Sequence, residues 1–189
     1  MATEYLRRTD SDGKTHYIDK QDEPMSCALA CIGMVWDQTR SQCSVLGESG
    51  YKAVSGTFPG SLLASQTGGG IGSGTDFTNV TTTLATVGVV VRATYGLASP
   101  LLPPYNFTWQ KNRIGTRHPA LVLVGWYRGA GAAMTRPAGH YVVAPRVTSK
   151  GWVVILDPFT GTLHELHGSR GQYNNHGSRG FIEYIWYTG

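Results

Sequence analysis

The first twenty residues mix polar and charged positions with the aromatics Tyr5 and Tyr17, a pattern that predicts a short strand or an irregular arm. At Ser26 the pattern changes. Ala28, Ala30, Cys31, Met34 and Val35 recur at helical spacing through Trp36. Ser26 suits the N-cap, because its hydroxyl can accept a bond from a first-turn amide. A helix is therefore expected to open at or next to Cys27. A second helix is expected over 77–87, capped by Asp76, with Phe77, Val80, Leu84 and Val87 on one face and Gly88 as its stop. Val89, Val90 and Val91 then read as a strand. Between the two helices, residues 68–74 are rich in glycine and predict a flexible loop. It is not a phosphate-binding loop, since no Gly-Lys-Ser/Thr ending follows. Residues 98–112, with Pro100, Pro103, Pro104 and Trp109, also read as a loop.

The second half is strand-like. Apolar runs occupy Ala120 to Tyr127, His140 to Ala144 and Trp152 to Leu156, and Phe181 to Tyr187 forms a last run between Gly180 and Gly189. Helices in the first half and strands in the second define an α+β domain with an antiparallel sheet. One domain is expected over 1–189, with residues 1–14 as a mobile N-terminal arm. No internal repeat or interdomain linker is present in the sequence.

Length and charge narrow the function. A chain of 189 residues can bury a core without metals or disulfides. No apolar run approaches the ~20 residues that span a bilayer. Met1 to Lys20 contains no apolar stretch of signal-peptide type, so synthesis in the cytoplasm is expected, with any export by another route. The net charge of +4 is spread from Arg7 to Arg179 without a dense basic run, which argues against nucleic acid as the main partner. Cys27, Cys31 and Cys43 make an odd count, against a disulfide framework. They are buried apolar side chains, metal ligands, or include one reactive thiol.

Four residues carry candidate chemistry. A thiol attacks as its thiolate, and the partial positive charge and free amides of a helix N-terminus favour that form. Cys27 stands where such a nucleophile belongs. Gln21 lies six residues upstream, in Gln21-Asp22-Glu23-Pro24-Met25-Ser26-Cys27. Its carboxamide and the Cys27 N–H can supply the two donors that a tetrahedral oxyanion needs. His140 follows Gly139 at the start of an apolar strand and can aim one ring nitrogen at a thiol on a facing helix. Asp157, in Val154-Ile155-Leu156-Asp157-Pro158, ends another strand, where a carboxylate can accept the imidazole N–H and fix its tautomer. Taken singly, each has a structural reading: a buried thiol, a solvated glutamine, a satisfied histidine and an Asp-Pro turn.

Taken together, in the order Gln, Cys, His, Asp, the chain resembles the papain-like cysteine peptidases. The resemblance is to their compact bacterial branch, which includes the bacteriocin-processing double-glycine peptidases and secreted effector proteases. It spans residues 15 to 187 through Gln21 to Cys27 and the following helix, Ala120 to Trp126, Gly139-His140-Tyr141-Val142-Val143, and Ile155-Leu156-Asp157-Pro158-Phe159-Thr160-Gly161. The resemblance implies a papain-like fold, with an N-terminal helical part packed on a C-terminal antiparallel sheet and a cleft between them. It implies that Gln21 serves the oxyanion hole, Cys27 is the nucleophile, His140 the base and acid, and Asp157 the orienting residue. It further implies a protein substrate cut after small residues such as Gly-Gly, no cofactor, delivery by a dedicated secretion system as an effector or toxin, and a cognate inhibitor or immunity protein. Two features depart from the pattern: Ala28-Leu29 follow the nucleophile where many relatives have Gly-Pro or a Trp, and the third residue is Asp where papain has Asn. Trp126, Trp152 and Phe159 are candidates for lining the substrate site, with a core role as the alternative for the aromatics on strands.

Three rival readings keep some of these residues. A glutamine deamidase or transglutaminase-like acyl transferase would use the same Cys-His-Asp set. A zinc site could draw on Cys27 and Cys31, four apart on one helix, and on His164 and His167, although the latter pair is more closely spaced than usual zinc pairs. A papain-like module without catalysis is the third. His16, His118, His176 and Cys43 receive no role.

Overall fold

A computed structural model of the chain describes residues 5–21, 26–39, 77–96, 107–129, 133–168, 171–175 and 179–189. The described residues form an α+β arrangement: two α-helices, a two-stranded hairpin, and a six-stranded antiparallel sheet. In chain order these are β1 (Tyr5–Thr9), β2 (Thr15–Asp19), α1 (Cys27–Thr39), α2 (Phe77–Thr86), β3 (Val91–Gly96), β4 (Ala120–Arg128), β5 (Thr135–Ala144), β6 (Val153–Asp157), β7 (Thr162–Leu166) and β8 (Arg179–Thr188). The large sheet runs β3-β8-β4-β5-β6-β7. The glycine-rich stretch 68–74, the Asp76 cap, Cys43 and His176 lie outside the described residues.

Both faces of the sheet are buried, which is why its central strands read as continuous apolar runs rather than as alternating ones. Side chains alternate across a strand. Leu121, Tyr141, Val143, Val154, Leu156 and Trp186 face α1 and α2. Val122, Val124, Val142, Ala144, Val153 and Ile155 face the other way, onto Phe107, Trp109, Ile114 and Tyr173. Helix α1 buries nearly its whole circumference, from Ala28 through Val35, and packs chiefly on β5. The Ser26 carbonyl accepts the first helical amide, from Ala30 at 3.1 Å, so the N-cap falls where the sequence predicts it.

Helix α2 ends as its sequence predicts. Gly88 takes a φ of 72°, and Val89 N–H reaches back to the Leu84 carbonyl at 2.9 Å. That bond closes the last turn in the Schellman manner, which a residue with a Cβ adopts at a cost. Trp186 of β8 donates its indole N–H to Thr81 of this helix (2.8 Å) and so ties the helix to the sheet.

Of the short strand or irregular arm expected for the first twenty residues, the described part, from Tyr5, takes the strand form. From Tyr5 onward it is an antiparallel hairpin, with Arg7 opposite Tyr17 and Thr9 opposite Thr15. Its turn is fastened to the loop between β5 and β6. The Arg146 guanidinium bonds Asp10 Oδ2 and, at 2.6 Å, Asp12 Oδ2. Asp12 also accepts the Ser149 N–H and hydroxyl, each at 2.7 Å. Asp10, buried, takes a further bond from His16 at 2.9 Å. The charges at its turn are what dock the segment.

Candidate active site

Cys27 is the first residue of α1 and is half-buried with a free thiol, whereas Cys31, one turn on, is fully buried. The helix delivers the nucleophile candidate to the place where its amides point away from the helical ladder. Gln21 is buried, and its backbone N–H donates to the Pro158 carbonyl at 3.0 Å. The residue that precedes the helix is thus pinned to the turn that follows Asp157.

His140 and Asp157 meet through strand register. Val143 pairs with Leu156, so Val142 opposes Asp157, and His140 lies two residues further along on the same face. Such diagonal neighbours lie within reach of long side chains. His140 Nε2 stands 2.8 Å from Asp157 Oδ1. With Nε2 so engaged, Nδ1 is the nitrogen left to face Cys27, whose nearness to the ring raises the His140 pKa. A carboxylate accepts only, so Nε2 carries the proton in that bond. The structure therefore brings Cys27, His140 and Asp157 together in the order Cys-His-Asp.

Burial pushes the His140 imidazolium down, but the hydrogen bonds to Asp157 and Cys27 outweigh it, and the histidine is pushed up to about 9. Asp157 is fully buried. Burial pushes its carboxyl up, and the bonds from His140, Tyr173 and the Phe159 amide more than reverse that, holding it below the usual carboxylate range. Burying a lone carboxylate costs several kcal/mol. Four donors meet this one: His140 Nε2 and Phe159 N (2.9 Å) at Oδ1, and Tyr173 Oη (2.7 Å) and Asn175 Nδ2 (2.9 Å) at Oδ2. At about 1.5–3 kcal/mol for each bond to a charged group, they can offset the burial.

Two of the three aromatic candidates flank this group. The Trp126 ring stacks on His140, with centroids 5.9 Å apart and planes 18° off parallel, and Phe159 meets the same ring edge-on at 6.4 Å. Phe159 is 48% exposed, so a bulky apolar surface stands in solvent beside His140. Trp152 sits apart from them. It stacks on His167 at 3.9 Å under Lys150. It immediately precedes β6, whereas Asp157 ends that strand, and five residues of strand span about 16 Å. Strand direction therefore removes Trp152 from the candidate substrate site.

Residues 164 and 167 do not converge as metal ligands. His164 bonds Thr162 Oγ1 at 2.8 Å and lies 3.4 Å from Asn175 Nδ2, whereas His167 is the stacking partner of Trp152. Among the described residues no three His, Cys, Asp or Glu side chains are grouped to hold a metal ion. His16 is buried against Asp10 in the hairpin lock.

Tyr173 and Asn175 are site residues that the sequence did not single out. Their stretch, Gly171-Gln172-Tyr173-Asn174-Asn175, carries no periodicity and reads as a polar loop. Backbone bonds hold it to β8, from Tyr173 N to Gly180 O (3.0 Å) and from Ile182 N to Gly171 O (2.7 Å).

No family model matches the chain, and no curated protein matches it. Among the described residues no helix is long and apolar enough to cross a membrane.

Proposed function

We propose that the chain is a cysteine peptidase of papain-like fold, with Cys27 as nucleophile, His140 as base and acid, Asp157 as the orienting carboxylate and Gln21 as an oxyanion donor. One observation carries the reading: a half-buried thiol at a helix start lies beside a histidine whose far nitrogen is held by a fully buried carboxylate. A structural histidine needs no such arrangement, and perturbed ionisable groups gathered in one place mark functional sites more often than chance.

The Cys27 proton passes to His140, whose raised pKa favours the imidazolium, and Sγ attacks the carbonyl carbon of a peptide bond. The oxyanion forms between the Gln21 carboxamide and the Cys27 N–H. The imidazolium then protonates the leaving amine, and the C–N bond breaks to leave a thioester on Sγ. Water, deprotonated by His140, attacks the thioester and releases the acid and the thiol. Asp157 keeps the proton on Nε2 throughout, so that Nδ1 faces the thiol.

The test compares wild type with Cys27→Ala in a cell lysate, reading new protein N-termini by mass spectrometry. New termini that appear with wild type alone establish the peptidase and reveal its preference, including any for Gly-Gly. Glutamine residues that gain about one dalton, with no new termini, would keep the three residues and move the reaction to deamidation. New termini that persist with Cys27→Ala would remove Cys27 from the role.

A further inference from the structure

Asp157 presents two oxygens, and only one faces His140. Oδ1 accepts from both His140 Nε2 and the Phe159 amide. Those two bonds share one oxygen, so by themselves they leave the carboxylate free to turn about it. Oδ2 is met by Tyr173 Oη at 2.7 Å and Asn175 Nδ2 at 2.9 Å, and these two donors touch each other at 2.9 Å. The three atoms form a closed triangle. Tyr173 donates to Asp157 and accepts from Asn175, which fixes the amide orientation, since only its NH2 can face both oxygens.

Tyr173 is firmly placed. Tyr173 is 2% exposed, its ring between Trp126 (6.1 Å) and His164 (5.4 Å), and Trp126 also stacks on His140. Burial and the charge of Asp157 push the Tyr173 phenol up, so it remains a donor across the working range. Its backbone is held to Gly180.

We infer that Tyr173 and Asn175 are positioning residues: by occupying Oδ2 they keep Oδ1 of Asp157 on Nε2 of His140, and so keep Nδ1 on Cys27. This rests on the reading of Cys27 and His140 as nucleophile and base. The opposing account makes the two residues simple fillers of lone pairs on a buried carboxylate. The two accounts differ in sign. If Tyr173 and Asn175 hold Oδ1 in place, losing them lets the carboxylate turn away and lowers the His140 pKa. If they only share its charge, losing them leaves more negative charge for the imidazolium, and the His140 pKa stays or rises.

The groups that bear on this titration are Asp157 of β6, bonded to His140, and Cys27 of α1, which lies beside it. His164 of β7 lies beyond Asn175, and Cys31 of α1 acts on Tyr173. None of these is altered by Tyr173→Phe or Asn175→Ala.

The experiment follows the His140 imidazole by NMR through pH 5 to 11 in wild type, Tyr173→Phe, Asn175→Ala and the double variant. The expected result is a lowered midpoint in each single variant. A fall of about one unit or more, a tenfold change in proton affinity, is expected in the double variant, where neither donor can substitute for the other. Peptide hydrolysis by the double variant should lose at least about tenfold in kcat with KM within about twofold, the sign of a group that acts on the transition state. An unchanged or raised midpoint overturns the inference, whatever happens to kcat. Tyr173→Phe removes one oxygen and keeps the ring, so it decides the sign even if the double variant does not fold. The NMR readout needs no substrate, so it tests positioning even if no peptide is cut, an outcome that would count against the peptidase alone.

Discussion

Asp157 Oδ1 lies 2.8 Å from His140 Nε2 although seventeen positions separate the two residues in sequence. Antiparallel register closes that gap. The pairing of Val143 with Leu156 places both side chains on one face as diagonal neighbours. Because side chains alternate along a strand, a one-residue slip in β6 would turn Asp157 to the helix side and leave His140 facing an apolar residue. The apolar set Val153, Ile155 on one face and Val154, Leu156 on the other is fully buried. The register is thereby tied to the packing of the strand, and the core of the molecule sets the geometry of the site.

Gln21→Ala is expected to separate binding from chemistry. Removing one oxyanion donor costs roughly 100- to 1,000-fold in kcat when the donor acts on the tetrahedral state. Alkylation of Cys27 by iodoacetamide forms no oxyanion and should stay within about twofold of wild type. If both reactions fall together, Gln21 supports the fold around Cys27 and has no oxyanion role.

The hairpin lock is expected to contribute to stability. Arg146→Ala leaves Asp10 buried with one charged partner removed. Loss of one partner from a buried hydrogen-bonded group costs about 1–3 kcal/mol. Urea unfolding should show a loss of that size, and amides of Thr15–Asp19 should exchange faster with solvent. Unchanged exchange in that strand would show that the hairpin is held by its apolar contacts alone.

These outcomes bear on how far the sequence could be read. The helix at Cys27, the strands at Ala120, His140 and Phe181, and the antiparallel α+β class follow from periodicity. A helix buried all round and strands buried on both faces leave strong apolar signatures. His140 and Asp157 were legible because each terminates such a run. Strand β7 was not, because every residue from Thr162 to Leu166 is half-buried, and an edge strand of that kind shows little alternation. The hairpin was legible only as a short strand or an irregular arm, because Asp10 and Asp12 dock on Arg146, more than a hundred positions away, and charges carry no register. Tyr173 and Asn175 belong to a loop whose meaning appears only when β8 returns beside it.

Gly180→Ala tests that return. A Cβ at this position would sit 2.0 Å from the Tyr173 carbonyl oxygen and 2.5 Å from the Trp126 ring. The carbonyl is backbone, in a segment whose Tyr173 N–H donates to the Gly180 carbonyl, so it cannot swing aside as a side chain could. Overpacking of this kind typically costs about 1–3 kcal/mol. The expected result is a lower Tm together with weakened peptide hydrolysis, since segment 171–175 carries two of the four donors to Asp157. A variant that is less stable yet fully active would show that the segment can shift without disturbing the carboxylate.

The ionisation of the pair sets a pH window. His140 is pushed up to about 9 from 6.5. A folded pKa above the unfolded one adds stability that is fully present below about 6.5 and is lost as pH rises through about 9. Asp157 is shifted the other way. Its contribution is present above the ordinary carboxylate range and is lost as pH falls through its depressed folded value. Both contributions are complete between about pH 5 and 6.5, where the urea midpoint should be highest as far as these two groups decide it. Between pH 7 and 10 wild type should lose more stability than His140→Gln, which has no imidazolium to lose. Asp157→Asn removes the charge and leaves the histidine buried, so the His140 midpoint should fall from about 9. Imidazole titration by NMR in Asp157→Asn reads this directly. A midpoint that stays near 9 would mean that Cys27, and not Asp157, sustains the imidazolium, and the orienting role proposed for Asp157 would fall.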